Sequence, residues 1–186
     1  MDMDWSALLV AFFCGVLAII FVGGVRRMLA PIIIKRKLII GHILKSIEAH
    51  NIFWYIPIHV KASSLYNFVI SSLDDVTAAI TLTERKQTYP CLWINPNMFD
   101  DSAISLRIGT KRDIGIAEQD IGSNIIKAYN DYQAALPSGD EDIQLELRYG
   151  DAILGKWLFR KAIVGGIMQE VAPIKVSKTT ADKHYA

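Results

Sequence analysis

The sequence predicts an α+β protein in which an N-terminal transmembrane helix and a juxtamembrane helix precede a mixed, mostly antiparallel cytoplasmic domain. Three observations favour this fold class. The run from Trp5 to Val25 carries no formal charge, six cations and no acid follow between residues 26 and 45, and short runs of alternating apolar residues begin near residue 51. A chain of 186 residues has room for one ordinary domain and such an appendage.

The first element is the uncharged run WSALLVAFFCGVLAIIFVGGV. As a helix it would extend about 30 Å at roughly 1.5 Å per residue, which matches the thickness of a bilayer core. A cleaved signal peptide needs a basic N-terminal region, whereas this chain begins with the acidic stretch MDMD. A core helix of this length would show a polar face, and the run has none. The comparison favours a transmembrane helix over residues 1–25, with a signal peptide and a core helix as alternatives.

The second element, residues 26–50, is predicted to be a basic juxtamembrane helix. Lys and Arg beside a span are retained on the cytoplasmic side, so we expect one crossing of the bacterial inner membrane, with the N-terminus outside. Gly23-Gly24 and Pro31 are expected to break the helix and to act as joints. A helix that packs on the following domain is the alternative. The residues expected to contact membrane lipid are Arg26, Arg27, Lys35, Arg36 and Lys37.

Small residues recur at four-residue spacing in the uncharged run, at Ala7, Ala11 and Gly15. Such spacing lets helix backbones approach closely in lipid, where packing drives association. The stripe therefore predicts helix packing between copies of the chain, and hence a homo-oligomer. Ala and Gly are also common in spanning helices of every kind, so both interpretations stay open.

Residues 51–172 are predicted to form the α+β domain, and residues 173–186 a flexible tail. Alternating or β-branched residues predict strands in IFWYIPIHV, VTAAITLTE, CLWIN, AISLRIG and IQLELRYG. Pro57 favours an edge position for the first of these strands. Two stretches are predicted to be helical: residues 117–136, with an inner stripe that includes Ile121 and Ile125, and the run that follows Asp151 as its N-cap.

The charge balance excludes nonspecific binding of DNA or long RNA. From residue 46 onward the chain has 14 cations and 17 acids, a net charge of −3. A domain that coats nucleic acid is clearly basic. An anionic ligand would therefore need a local pocket. Cys14 and Cys91 lie far apart, one of them in the apolar run, so neither a disulfide nor a metal site is expected from them.

No catalytic motif is present, and the sequence predicts a protein that is not an enzyme and that has no metal or cofactor. There is no GxSxG elbow, no Walker A loop and no GxGxxG pattern. Acidic stretches at 74–75, 100–101 and 140–142 invite a nuclease interpretation, but the lysine expected beside the carboxylates is missing. Adjacent acids in turns are more often caps or solvated loops.

A candidate ligand site combines an aromatic residue, two amides and three cations. Stacking on an aromatic ring, amide contacts with base edges and a few cations are the means by which unpaired nucleotides are recognised. The candidate residues are Trp93, Asn95, Asn97, Arg107, Lys111 and Arg112. A second group with similar chemistry surrounds Trp157 and comprises Arg148, Lys156, Arg160 and Lys161. The alternative for each group is a core tryptophan beside solvated cations.

In its organisation the chain resembles the small single-pass membrane effectors of bacterial antiviral defence, including type III CRISPR-associated proteins. These join a spanning helix to a cytoplasmic sensor of cyclic oligonucleotides such as cyclic tetra-adenylate. The resemblance covers the span, the basic collar and a sensor-sized domain with the candidate site, and no sensor sequence motif accompanies it. It implies a homo-oligomer that binds a cyclic oligoadenylate and perturbs the membrane by altering the packing of its helices.

A second hypothesis assigns the domain a different role. It would be a docking module that holds a partner protein at the membrane and has no small ligand of its own. Binding of a cyclic oligonucleotide separates the two hypotheses.

Overall fold

The computed structural model describes residues 5–62, 72–94 and 101–176, without the side chains of 5–11, 18–23, 26–27 and 132–133. In these residues the chain forms one helix and fourteen strands. Their bounds are α1 Trp5–Lys37, β1 Leu38–Ile40, β2 Leu44–Glu48, β3 Asn51–Val60, β4 Ser72–Leu82, β5 Gln87–Pro90, β6 Leu92–Ile94, β7 Ala103–Arg107, β8 Lys111–Asp120, β9 Ile126–Ala128, β10 Asp131–Ala135, β11 Glu141–Tyr149, β12 Ala152–Val164, β13 Ile167–Met168 and β14 Ile174–Lys175.

The strands form two sheets of seven strands each, and every pairing between these strands is antiparallel. Sheet A has the order β1-β3-β8-β9-β10, with β2 also on β3 and β6 also on β8. Sheet B has the order β13-β12-β11-β4-β5, with β14 also on β12 and β7 also on β4. The domain is therefore mostly β, and the prediction of an α+β fold is wrong.

The buried faces of the two sheets share one hydrophobic core. Side chains alternate across a strand, and in β3 every second residue from Trp54 to Val60 is buried. In β11 the alternation buries Ile143, Leu145 and Leu147. This pattern of one dry and one wetter face on each sheet is typical of two antiparallel sheets packed face to face.

The two helices predicted within the domain are strands and turns. Ile121 and Ile125, which were expected on an inner helical stripe, are 53% and 55% exposed in the turn after β8. Asp151 is not an N-cap, because it lies with Gly150 in the two-residue turn between β11 and β12, where Tyr149 pairs with Ala152. Strand pairing across the whole sheet decides the structure here over local spacing.

No helix in the described ranges is both long enough and apolar enough to cross a membrane. That finding overturns the predicted transmembrane segment at 1–25 and the inner-membrane localisation inferred from it. The helix α1 also passes without a break through both predicted joints, Gly23-Gly24 and Pro31. Among its described side chains, Ala30 and Ile34 are buried in the domain core, and α1 contacts β12 and β4.

The predicted juxtamembrane helix at 26–50 is likewise wrong beyond Lys37. There the chain turns into β1 and β2, which pair with the two halves of β3. Lys35 and Arg36 are exposed and Lys37 is half-buried, while the side chains of Arg26 and Arg27 lie outside the description. The alternative interpretation, a helix that packs on the following domain, agrees with the structure for residues 30–37.

Pro57 lies inside sheet A and not at its edge. Strand β8 pairs with it on one side, and on the other side it faces the gap between β1 and β2. The Gly41 N–H donates to the Pro57 carbonyl at 2.8 Å. Since the N–H and C=O of one residue point to the same side of a strand, the missing N–H of Pro57 faces this gap. A Cβ at position 41 would come within 2.6 Å of the proline ring, so glycine fits the gap.

Trp93 links the two sheets, because its indole Nε1 in sheet A donates to the Val76 carbonyl in sheet B at 3.0 Å. We expect Trp93→Phe to lower the free energy of unfolding by about 1–2 kcal/mol more than Trp54→Phe does. Both indoles are buried, but Nε1 of Trp54 has no partner among the described residues, so its loss removes packing alone. Urea denaturation of the full chain measures both values, and equal losses would contradict the role of the Trp93 hydrogen bond.

Candidate functional site

The turn between β7 and β8 joins the two sheets, since β7 belongs to sheet B and β8 to sheet A. This turn is held by hydrogen bonds to β3 and within the turn itself. The Gly109 N–H donates to the Val60 carbonyl at 2.7 Å, the Val60 N–H donates to the Thr110 carbonyl at 3.1 Å, and the Thr110 Oγ1 donates to the Arg107 carbonyl at 2.7 Å. Gly109 has φ of 84°, a conformation that favours glycine. The turn therefore fixes the ends of both strands.

A groove of about 520 Å³ lies beside this connection, and we call it the β7–β8 groove. Arg107 comes from the end of β7 and Arg112 from the start of β8, and both are exposed. Across the described residues, neither guanidinium forms an ion pair. The groove is lined by Asp101, Ala103, Ile104, Ser105, Arg107, Thr110 and Arg112.

One rim of the groove is held by backbone hydrogen bonds to the core. The Trp93 N–H donates to the Asp101 carbonyl at 2.7 Å, and the Asp101 N–H donates to the Trp93 carbonyl at 3.1 Å. This places the single carboxylate of the lining beside two guanidinium groups. Two cations, two hydroxyls and one acid give a groove with excess positive charge, which suits an anionic group.

The structure brings together two of the six predicted site residues, Arg107 and Arg112. Trp93 is fully buried, so its ring offers no face to a ligand, as in the alternative of a core tryptophan. Lys111 pairs with His59 on β3 and does not line the groove, because it precedes Arg112 and points to the opposite face of sheet A. Asn95 and Asn97 lie outside the described residues.

Sequence reasoning did not assign two polar residues, Asp101 and Ser105, to the groove. The signal for Ser105 was present in the strand period, since Ala103, Ser105 and Arg107 alternate along β7 and so share one face. The place of Asp101 depends on its bridge to Trp93, which no local spacing reveals.

The second cationic group is neutralised in part. Glu146 accepts from Arg148 Nε and forms an ion pair with Lys156 Nζ at 2.5 Å. Burial raises the pKa of the Glu146 carboxyl, but hydrogen bonds and charge from Lys156 and Arg148 outweigh burial and hold this pKa below its ordinary value. Trp157 is buried. Arg160 and Lys161 are exposed and form no ion pair among the described residues, but the buried Trp157 leaves this group without a stacking surface.

The acidic run at 140–142 holds backbone amides at the open end of sheet B. The Asp140 carboxylate accepts from the Gly165 N–H at 2.8 Å, and the Asp142 carboxylate accepts from the Lys161 N–H at 2.6 Å. Glu141 is buried, accepts from the Glu84 N–H at 3.2 Å and lies 3.4 Å from Arg85 Nε. These acids act as caps of turns and strand ends.

In the described part of the chain, no group of three or more His, Cys, Asp or Glu side chains is placed to hold a metal ion. Burial raises the pKa of the Cys91 thiol to about 12, so it stays protonated at neutral pH. Cys14 is exposed, and no disulfide joins the two.

Together these features define a class: an antiparallel two-sheet domain with an N-terminal helix and a cationic groove at the β7–β8 connection between its sheets. No protein-family model, curated protein or solved structure is significantly similar to the chain. The comparisons thus lend no support to the antiviral and nucleotide-binding roles that the architectural resemblance implied, and the spanning helix it required is contradicted. The homo-oligomer stays a prediction, because the side chains of Ala7 and Ala11 lie outside the description.

The Glu146 network gives a pH-dependent prediction. A carboxyl with a lowered pKa stabilises the fold above its ordinary value of 4.5, and this contribution is lost as the pH falls through the folded-state pKa. We expect Glu146→Gln to lower the free energy of unfolding by about 1 kcal/mol at pH 7, because it leaves Arg148 and Lys156 without their shared partner.

Denaturant titrations at pH 7 and below pH 4 measure this effect, with the exposed Glu170→Gln as the control that should change little at either pH. The deficit of Glu146→Gln should shrink at the lower pH. A deficit of the same size at both values would contradict an electrostatic origin.

Proposed function

We propose that the protein is a non-enzymatic binding module that takes an anionic group in the β7–β8 groove. The observation that carries this proposal is the meeting of Arg107 and Arg112, from two different sheets, in one groove where neither is neutralised by an ion pair among the described residues. The turn fixes the backbone of both strand ends, so the two arginines reach the groove from fixed positions.

The chemistry of the groove favours a phosphate or a similar oxyanion. A guanidinium presents a planar fork of N–H donors that matches phosphate oxygens in a bidentate manner. Ser105 adds a hydroxyl on the same face of β7, whereas the Thr110 hydroxyl is already engaged with the Arg107 carbonyl. Asp101 at the rim opposes an anion and limits binding to ligands that engage both arginines.

The proposed site recognises an anionic group and lacks two features that the sequence predicted. Recognition of a base by stacking on Trp93 is not included, because that ring is in the core. A change in the packing of membrane-spanning helices is not included either, since no such helix is found in the described ranges. What supports binding is that the described lining presents two guanidinium groups and the Ser105 hydroxyl as donors for an anion.

Titration of the full chain with inorganic pyrophosphate tests the proposal by isothermal calorimetry. We expect saturable binding that Arg107→Gln and Arg112→Gln each weaken by about tenfold or more, because each change removes charge-assisted hydrogen bonds worth about 1.5–3 kcal/mol. Asp101→Asn should tighten binding by removing the opposing charge.

Lys111→Gln is the matched comparison, since it removes the same charge one residue away from Arg112 and on the opposite face of the sheet. It should weaken binding by about threefold at most, through long-range electrostatics that salt screens. Equal losses for Lys111→Gln and Arg112→Gln would mean diffuse attraction and no site. Absence of pyrophosphate binding would overturn the proposal.

A further inference from the structure

A second groove, of about 250 Å³, lies on the outer face of sheet A, away from the shared core. We call it the aromatic groove. It crosses five neighbouring segments, with residues from β2, β3, β6, β8 and the position after β9. Its lining consists of Ser46, Glu48, Phe53, Tyr55, Ile94, Asp113 and Tyr129.

The rings of the groove are set by the sheet beneath them. Tyr129 lies against Gly115 of β8, where an added Cβ would come within 2.4 Å of the tyrosine ring. Phe53 meets Tyr129 edge to face, with ring centroids 6.0 Å apart and an interplanar angle of 74°. Tyr55 is the register partner of Gly115, so its ring belongs to the same row. Three aromatic rings, two from β3 and one from the turn after β9, thus border one open space.

The charged groups of the lining are acids. Asp113 is half-buried, and its neighbours across β3 and β6 are Pro57 and Ile94, neither of which brings a cation. Lys111 lies two residues earlier on the same face of β8, but it is exposed and does not line the groove. Burial raises the pKa of the Asp113 carboxyl, as expected for an acid without a compensating partner. Glu48 adds a second carboxylate, and the described lining includes no Lys, Arg or His.

A buried carboxylate opposite Phe53 adds a further acidic group next to the groove. Glu118 is the register partner of Phe53 and is only 9% exposed. Its Oε1 accepts from Asn51 Nδ2 at 2.6 Å, and its Oε2 is buried without a partner among the described residues. Lys127 and Asp120 pair with each other at 3.4 Å nearby, so they add little net charge.

We infer that the aromatic groove binds a small organic cation, a quaternary or alkylated ammonium group, with its charge toward Asp113 and its methyl groups against Phe53, Tyr55 and Tyr129. Aromatic faces carry negative potential and attract cations, most strongly where water is partly excluded. An anion is disfavoured by the two carboxylates. A bare metal ion needs several converging oxygen ligands, and no such cluster occurs in the described residues. The site is separate from the β7–β8 groove and does not depend on the function proposed for it.

The test is a titration of the full chain with choline chloride and, in parallel, with 3,3-dimethylbutan-1-ol, which has the same shape but no charge. We expect choline to bind saturably and at least about tenfold more tightly than the neutral isostere. Phe53→Leu, which keeps an apolar side chain but removes a ring face, and Asp113→Asn, which keeps the shape but removes the charge, should each weaken choline binding by about tenfold.

Stability separates loss of the site from loss of the fold. A buried acid with a raised pKa destabilises the fold once it ionises, so Asp113→Asn should keep or raise the urea midpoint at pH 7 while it weakens choline binding. Equal affinity for choline and its isostere, or unchanged choline affinity in Asp113→Asn with an intact urea midpoint, would overturn the inference. So would binding of the neutral alcohol alone.

Discussion

The structure depends on the passage of the chain from one sheet to the other between Pro90 and Trp93. Strand β5 ends on β4 of sheet B, the Cys91 N–H donates to the Ala78 carbonyl at 2.9 Å, and two residues later Trp93 pairs with Ile114 of sheet A. The indole of Trp93 then reaches back to sheet B. One buried segment thus belongs to both layers, and burial of both inner faces in a single core follows from it.

Strand β8 contributes a residue to each of the two grooves. Successive side chains point to opposite faces of a strand, so Arg112 is directed to the β7–β8 groove and Asp113 to the aromatic groove. The chain as a whole is nearly neutral, at +1. Arg112 nevertheless lies on one face of β8, and Asp113 and Lys111 lie on the other, so net charge alone does not describe either groove.

The strands that the sequence predicts in IFWYIPIHV, AISLRIG and IQLELRYG are present as β3, β7 and β11. They were predictable because one face of each is buried and the residue period shows it. The helix predicted at residues 117–136 is wrong because Ile121 and Ile125 fall four residues apart by chance, in an exposed turn. Arg107 and Arg112 were predictable as cations at a strand end and turn. The burial of Trp93 depends on its position between β8 and β4, and the direction of Lys111 depends on the pairing of β8 with β3; the local sequence encodes neither.

Three acids near the end of sheet B and two acids on sheet A differ in their hydrogen-bond partners and burial. In sheet B, Asp140, Glu141 and Asp142 each accept from a backbone N–H, so their charges stabilise the fold. In sheet A, burial raises the pKa of Asp113 and Glu118, which means that their ionised forms cost stability. Asp113 lines the aromatic groove, so a cation bound there would offset the cost of ionising its carboxyl.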